Sequence, residues 1–191
     1  LPSVSAEVKE AFLFKVYWTV CEALEKAHKR SIYHGDLWPR NILCGFDVGS
    51  TDDSSAKNEN LESRLLLSPV LLCDRRVRTE LSTGSVSVGS LLSLGNFSCP
   101  PYYCPSYYFV DSSRPAELGK ERDLYAALAL MAWTTNGSIS EDVSSFSQEI
   151  LNLSLGYDRK EKKRTFPFGI ADLKKKVFEM IGRDNYFIHE V

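Results

Sequence analysis

Long apolar runs are absent from this chain of 191 residues. Even Leu124 to Trp133 is too short to span a bilayer, which takes about 20 consecutive apolar residues. No membrane anchor is therefore expected. An excess of one charge sign is missing too: the formal net charge is −2, which gives no general pull toward nucleic acid or an anionic membrane surface. The start, Leu1-Pro2-Ser3-Val4, has neither an initiating Met nor a signal-peptide pattern, so the chain reads as a fragment of a longer protein. Cysteine is present without a framework. The five (Cys21, Cys44, Cys73, Cys99, Cys104) are odd in number and scattered, and three of them sit in apolar runs. That pattern reads as buried thiols in a reducing, intracellular compartment. Cys99 and Cys104 flank Pro-Pro-Tyr-Tyr, but no His or second Cys pair stands near them, which argues against zinc. Sequons at Asn96, Asn136 and Asn152 read as coincidences of a serine-rich chain.

What remains is enough for one domain with a substantial core, spanning residues 1–191. Residues 6 to 29 predict a helix: Leu13, Val16, Tyr17, Val20, Leu24 and Ala27 keep the 3–4 spacing of a buried stripe. Glu7 and Glu10 favour its first turn, and Lys26, Lys29 and Arg30 its last. Glu121 to Trp133 is apolar on nearly every face after its first turn, which predicts a helix central to the core, stopped at Asn136-Gly137. Val143, Phe146, Ile150 and Leu153 mark a further amphipathic helix, and Ile170, Leu173, Val177 and Ile181 a last one. The basic run Arg159 to Arg164 between them reads as a solvated connector.

The most informative stretch is Ser31 to Cys44, Ser-Ile-Tyr-His-Gly-Asp-Leu-Trp-Pro-Arg-Asn-Ile-Leu-Cys. Apolar pairs, Ile32-Tyr33 and Ile42-Leu43, lead into and out of a polar loop that presents His34, Asp36 and Asn41. A carboxylate and a carboxamide five residues apart on a pinned loop can share a site. The carboxylate can take a hydroxyl proton while the amide oxygen holds a metal ion.

This loop resembles the catalytic loop of the protein-kinase-like superfamily, H-R-D-L-x-x-x-N. His34, Asp36, Leu37 and Asn41 match in order, and Pro39 fits the Ser/Thr-kinase form. The resemblance implies a mainly α fold, the C-terminal lobe of a kinase domain: a helix bundle around a central buried helix, with short β-hairpins at the catalytic and metal loops. It implies ATP and Mg²⁺ as cofactors and a protein hydroxyl as acceptor, with Asp36 as base, Asn41 as metal ligand and Arg40 as a catalytic cation. Asp123 would hold the backbone of the loop from the central helix.

Other segments fall in the order the resemblance requires. Ile42 to Phe46 reads as a strand, and residues 49–63 as a flexible, mildly acidic insertion. Val70 to Cys73 reads as a second short strand, ending where the family places its second metal ligand; that ligand would be Asp74. Residues 79 to 98, rich in Ser, Thr and Gly, suit an activation segment. Pro101 to Ser106 resembles the substrate platform of Ser/Thr kinases, with Pro115-Ala116-Glu117 as a rival.

The departures are specific. No glycine-rich G-x-G-x-x-G loop and no strand lysine precede Ala6, so half of the nucleotide cleft is expected to come from elsewhere. Trp38 stands where Ser/Thr kinases place a lysine, and Arg75-Arg76 replaces the Phe-Gly that follows the second metal ligand. Two alternatives follow: a pseudokinase acting through protein interaction, and a small-molecule kinase of the aminoglycoside, choline or fructosamine kinase type, whose loops read close to H-G-D-L-x-x-x-N. Gly35 replaces the loop Arg that ordinarily docks an activation-segment phosphate. Phosphorylating the Ser82–Ser93 segment is therefore expected to leave activity unchanged in a transfer assay, and a large rise would refute this reading.

Overall fold

The computed structural model describes residues 4–45, 63, 65–72, 86–87, 115–134, 145–146, 149–150, 157–158, 163–164 and 168–183. These residues are mainly helical. Helix α1 (Ala6–His28) opens the fold, followed by a single 3-10 turn (Pro39–Asn41) and strand β1 (Ile42–Cys44). Strands β2 (Val70–Leu72) and β3 (Val86–Ser87) come next, then helix α2 (Pro115–Thr134), a short strand pair β4 (Tyr157–Asp158) and β5 (Lys163–Arg164), and helix α3 (Ile170–Arg183). Among the described residues no helix is long and apolar enough to cross a membrane.

Helix α1 starts where Ser5 accepts a hydrogen bond from the Val8 amide and ends in a Schellman arrangement. There the Ile32 amide donates to Ala27 O (3.0 Å) and the Ser31 amide to His28 O (3.1 Å). The arrangement needs a left-handed residue, and Ser31 supplies it at φ 57°. Phe12, Phe14, Val16, Tyr17, Val20 and Leu24 are buried along α1. Phe14 meets Tyr17 and Phe146 edge-on at 5.5 and 5.3 Å between ring centres, and Tyr17 stacks on Phe146 at 6.4 Å. The Tyr17 hydroxyl hydrogen-bonds the hydroxyl of Thr134, which ties α1 to the end of α2.

Helix α2 has Leu124, Ala126, Ala127, Leu128, Leu130 and Met131 buried, as a central helix requires. Its start lies at Pro115, earlier than the apolar pattern indicates, so Pro115-Ala116-Glu117 forms its first turn. Helix α3 lays Leu173, Val177, Met180 and Ile181 against α1. Lys174 reaches across to Glu22 and Glu25 at 3.1 Å each, with its ammonium 4.7 Å from the Trp18 ring centre. Hydrogen bonds hold both carboxyls below their usual range, from Lys174 for Glu22 and from Lys29 and then Lys174 for Glu25. That contribution is present above the unfolded carboxyl pKa and fades as pH falls through the depressed folded values; solvent screening keeps it small. The Cys21 thiol is buried among these helices, and burial pushes its pKa up to about 12, which makes it an inert core group.

Strands β1, β2 and β3 form one sheet in the order β2-β1-β3, and β4 and β5 pair separately. β1 and β2 are antiparallel, with Ile42 opposite Leu72, Leu43 opposite Leu71 and Cys44 opposite Val70, and the Gly45 amide extends the ladder to Pro69 O (2.9 Å). The two strands expected from their apolar runs thus form, over Ile42–Cys44 and Val70–Leu72, and pair with each other. β3 lies within residues 79–98, read as suiting an activation segment, and pairs with β1 on its other side. The ammonium of Lys15 fastens α1 to the approach to β2 by donating to Leu66 O and to Ser68 O (2.6 Å), and burial lowers its pKa. Asp74, Arg75, Arg76, the platform at 101–106 and residues 49–62 of the insertion lie outside the described residues.

Replacing Ser31 with Gly relieves a left-handed residue of its Cβ, and is expected to stabilise the fold by about 0.5–1 kcal/mol in a denaturant melt. A loss of stability would mean that the Schellman end is wrongly described.

Candidate functional site

The polar loop between α1 and the 3-10 turn is hung on one carboxylate. Asp123, in the third turn of α2 by its distance from Pro115 and 1 % exposed, accepts from the backbone amide of His34 through Oδ2 (2.9 Å) and from that of Gly35 through Oδ1 (2.8 Å). Its Oδ2 also pairs with Nε2 of His28 at 2.9 Å, so the imidazole donates there. A buried carboxylate is costly unless its lone pairs are filled, and these N–H groups fill them. The expected structural role of Asp123 is what the geometry shows. His28 was not singled out by sequence; its ring belongs to the last turn of α1, and a basic residue there is ordinarily a helix-dipole feature.

Two glycines let the loop come this close. Gly35 has φ +68°, where an L side chain is strained, and a Cβ there would lie 3.8 Å from the Arg122 guanidinium. The cation beside the loop thus comes from residue 122 rather than from residue 35. At Gly119 a Cβ would fall 2.5–2.9 Å from the Tyr33 ring, so that ring lies directly on the α2 backbone. Of the apolar pair that leads into the loop, Tyr33 is the one that packs on α2. Ile32, paired with it in sequence as an apolar anchor, is 59 % exposed. On the far side Leu37, Ile42 and Leu43 are buried.

Within the loop the Asp36 amide donates to His34 Nδ1 (3.3 Å), and Asn41 closes the turn on Asp36. Asn41 Nδ2 donates to the Asp36 backbone carbonyl (2.7 Å) and to Asp36 Oδ2 (3.0 Å). Both partners are acceptors, which fixes the orientation of the amide. Its other end, Oδ1, is then buried with no hydrogen-bond partner among the described residues. A buried amide oxygen without a donor costs about 1–3 kcal/mol. Such an oxygen is also a hard ligand of the kind Mg²⁺ takes.

Trp38 is buried in the turn, and the Arg40 guanidinium carbon lies 4.4 Å from its ring centre. Arg40 itself is exposed. The structure therefore brings Asp36 and Asn41 together and sets Arg40 over Trp38, while Asp74 lies outside the described residues. No group of three or more His, Cys, Asp or Glu placed to hold a metal occurs among the described residues.

Converting Asp123 to Asn leaves fewer lone pairs for the same donors and aims an N–H group at one of them. The expected result is a loss of about 2–3 kcal/mol in stability and faster hydrogen exchange at the His34 and Gly35 amides. Unchanged exchange at both amides would contradict the anchoring role.

Compared with protein families, with curated proteins and with solved structures, the chain gives no match in any of the three.

Proposed function

We propose that this chain carries the catalytic loop of a protein-kinase-like phosphotransferase, moving a phosphoryl group from Mg²⁺–ATP to a protein hydroxyl when an N-terminal lobe completes the cleft. The observation that carries this reading is the Asp36–Asn41 clamp: the carboxamide nitrogen is spent on Asp36 and the carboxamide oxygen is left for something else. Mg²⁺–ATP supplies the electrophilic phosphoryl group and the counter-charge for its oxygens. Asp36 accepts the proton of the acceptor hydroxyl as its oxygen turns nucleophile. Asn41 Oδ1 is the metal ligand this loop offers, and Arg40 brings a cation that is never deprotonated.

Asp74 is the second metal ligand in this proposal. The register supports it: β2 runs back toward the loop, and its last residue, Leu72, faces Ile42, the residue that follows Asn41. Asp74 is two positions further along the sequence. Because the reaction depends on positioning and on neutralised charge, the anchoring by Asp123 supports the same reading.

A second reading has support from the loop itself. Gly35 at φ +68° and Trp38 in the lysine position suit the H-G-D loops of small-molecule kinases. Both readings share the chemistry and differ in the acceptor.

The test is a titration of Mg²⁺ and ATP joined to a transfer assay, with peptide and aminoglycoside or choline acceptors compared. It is run on the chain extended by its genomic upstream sequence. Asp36→Asn is expected to bind nucleotide within about threefold of wild type while transfer falls by about 100-fold or more. Asn41→Ala and Asp74→Asn are expected to weaken Mg²⁺-dependent nucleotide binding. Wild-type protein that binds no nucleotide and transfers none sinks the proposal. Binding without transfer leaves the interaction-module alternative in its place.

A further inference from the structure

Trp38 and Arg40 form a cation–π pair within the loop. Trp38 is 6 % exposed and precedes the 3-10 turn; Asn41 N donates back to its carbonyl at 2.9 Å. The indole is thus locked by the core below it and by the turn above it. Arg40, two residues on, is exposed, yet its guanidinium carbon stays 4.4 Å from the indole centre. An exposed arginine ordinarily samples many rotamers; a ring under its flat face removes much of that freedom.

Stacking occupies the face of a guanidinium and leaves its edge open. No hydrogen bond or ion pair engages the N–H donors of Arg40 among the described residues. That edge is a fork matched to two oxygens of a phosphate or carboxylate. The next residue, Asn41, offers an oxygen suited to a hard cation. A bare carboxylate satisfies only the fork. A metal-chelated polyphosphate satisfies both, and its metal offsets the nearby Asp36 charge.

We propose that Trp38 is the positioning residue for Arg40, holding its guanidinium as a fixed fork for the terminal phosphates of a metal-chelated polyphosphate. The proposal deepens the phosphotransferase reading and rests on it only for the identity of the molecule that carries those phosphates. The loop then has a substitute for the missing lysine: a cation placed by stacking instead of by its own backbone position.

The test uses inorganic tripolyphosphate with Mg²⁺, which carries no base or sugar, titrated into wild type, Trp38→Leu, Arg40→Gln and the double variant. Arg40→Gln is expected to weaken binding about tenfold, and Trp38→Leu about fivefold. If the indole acts through the guanidinium, the double variant binds no more weakly than Arg40→Gln, within about twofold. Trp38→Phe, which keeps a ring and guards against a folding artefact, retains wild-type binding within about twofold. Independent losses that multiply in the double variant would overturn the proposal, as would an Arg40→Gln protein that binds like wild type. Coupled tripolyphosphate binding without phosphoryl transfer supports the pair and counts against the transfer reading. Transfer that survives Arg40→Gln unchanged overturns the pair and leaves the transfer reading standing.

Discussion

Everything at the loop depends on the Asp123 carboxylate. It gathers the end of α1 through His28 and the start of the loop through the His34 and Gly35 amides, and it does so from inside α2. These groups are some 90 residues apart in sequence, so the connection is a tertiary constraint that no local propensity supplies. With the carboxylate filled, Asp36 sits a fixed distance along the chain from a fixed point, and the Asn41 clamp closes the other side. Both flanks of Asp36 are thus held by partly buried hydrogen bonds.

The surrounding hydrophobic structure serves that constraint. α1 contacts both α2 and α3, and its Phe14 and Tyr17 rings pack on Phe146. Tyr33 rests on bare backbone at Gly119, which brings the loop into hydrogen-bonding range of α2. A side chain at 119 has no room unless the Tyr33 ring withdraws, and the loop would withdraw with it.

Much of this was legible in the sequence because it is written in repeated patterns. The 3–4 stripe of α1, the all-round apolarity of α2 and the period of α3 each carry several residues of the same message, and all three helices form where those patterns lie. The strands Ile42–Cys44 and Val70–Leu72 were also readable, from two short apolar runs, while their pairing was implied only by the resemblance of the loop. Less redundant features were not. β3 rests on two residues in a segment without period, and the α2 start at Pro115 lies in a turn whose polar sequence carries no stripe. In the site, Asp36, Asn41 and Asp123 were visible through the loop motif and its order. His28, the stacking of Arg40 on Trp38 and the approach of Arg122 to Gly35 were not, because each is a pairing between side chains set by packing. The exposed Ile32 shows the converse, an apolar residue in an apolar pair that finds no core to enter.

The central claim is that the Asn41 oxygen, left over when its nitrogen clamps Asp36, is the point at which this loop receives a metal–phosphate. The most direct measurement is the nuclear magnetic resonance signal of the Asn41 side-chain amide during titration with Mn²⁺–ATP. Paramagnetic broadening of that signal at low metal, relieved by excess Mg²⁺ and followed by broadening at the Asp36 amide, is the result the account predicts. A sharp Asn41 signal at metal and nucleotide concentrations that saturate the protein would contradict it.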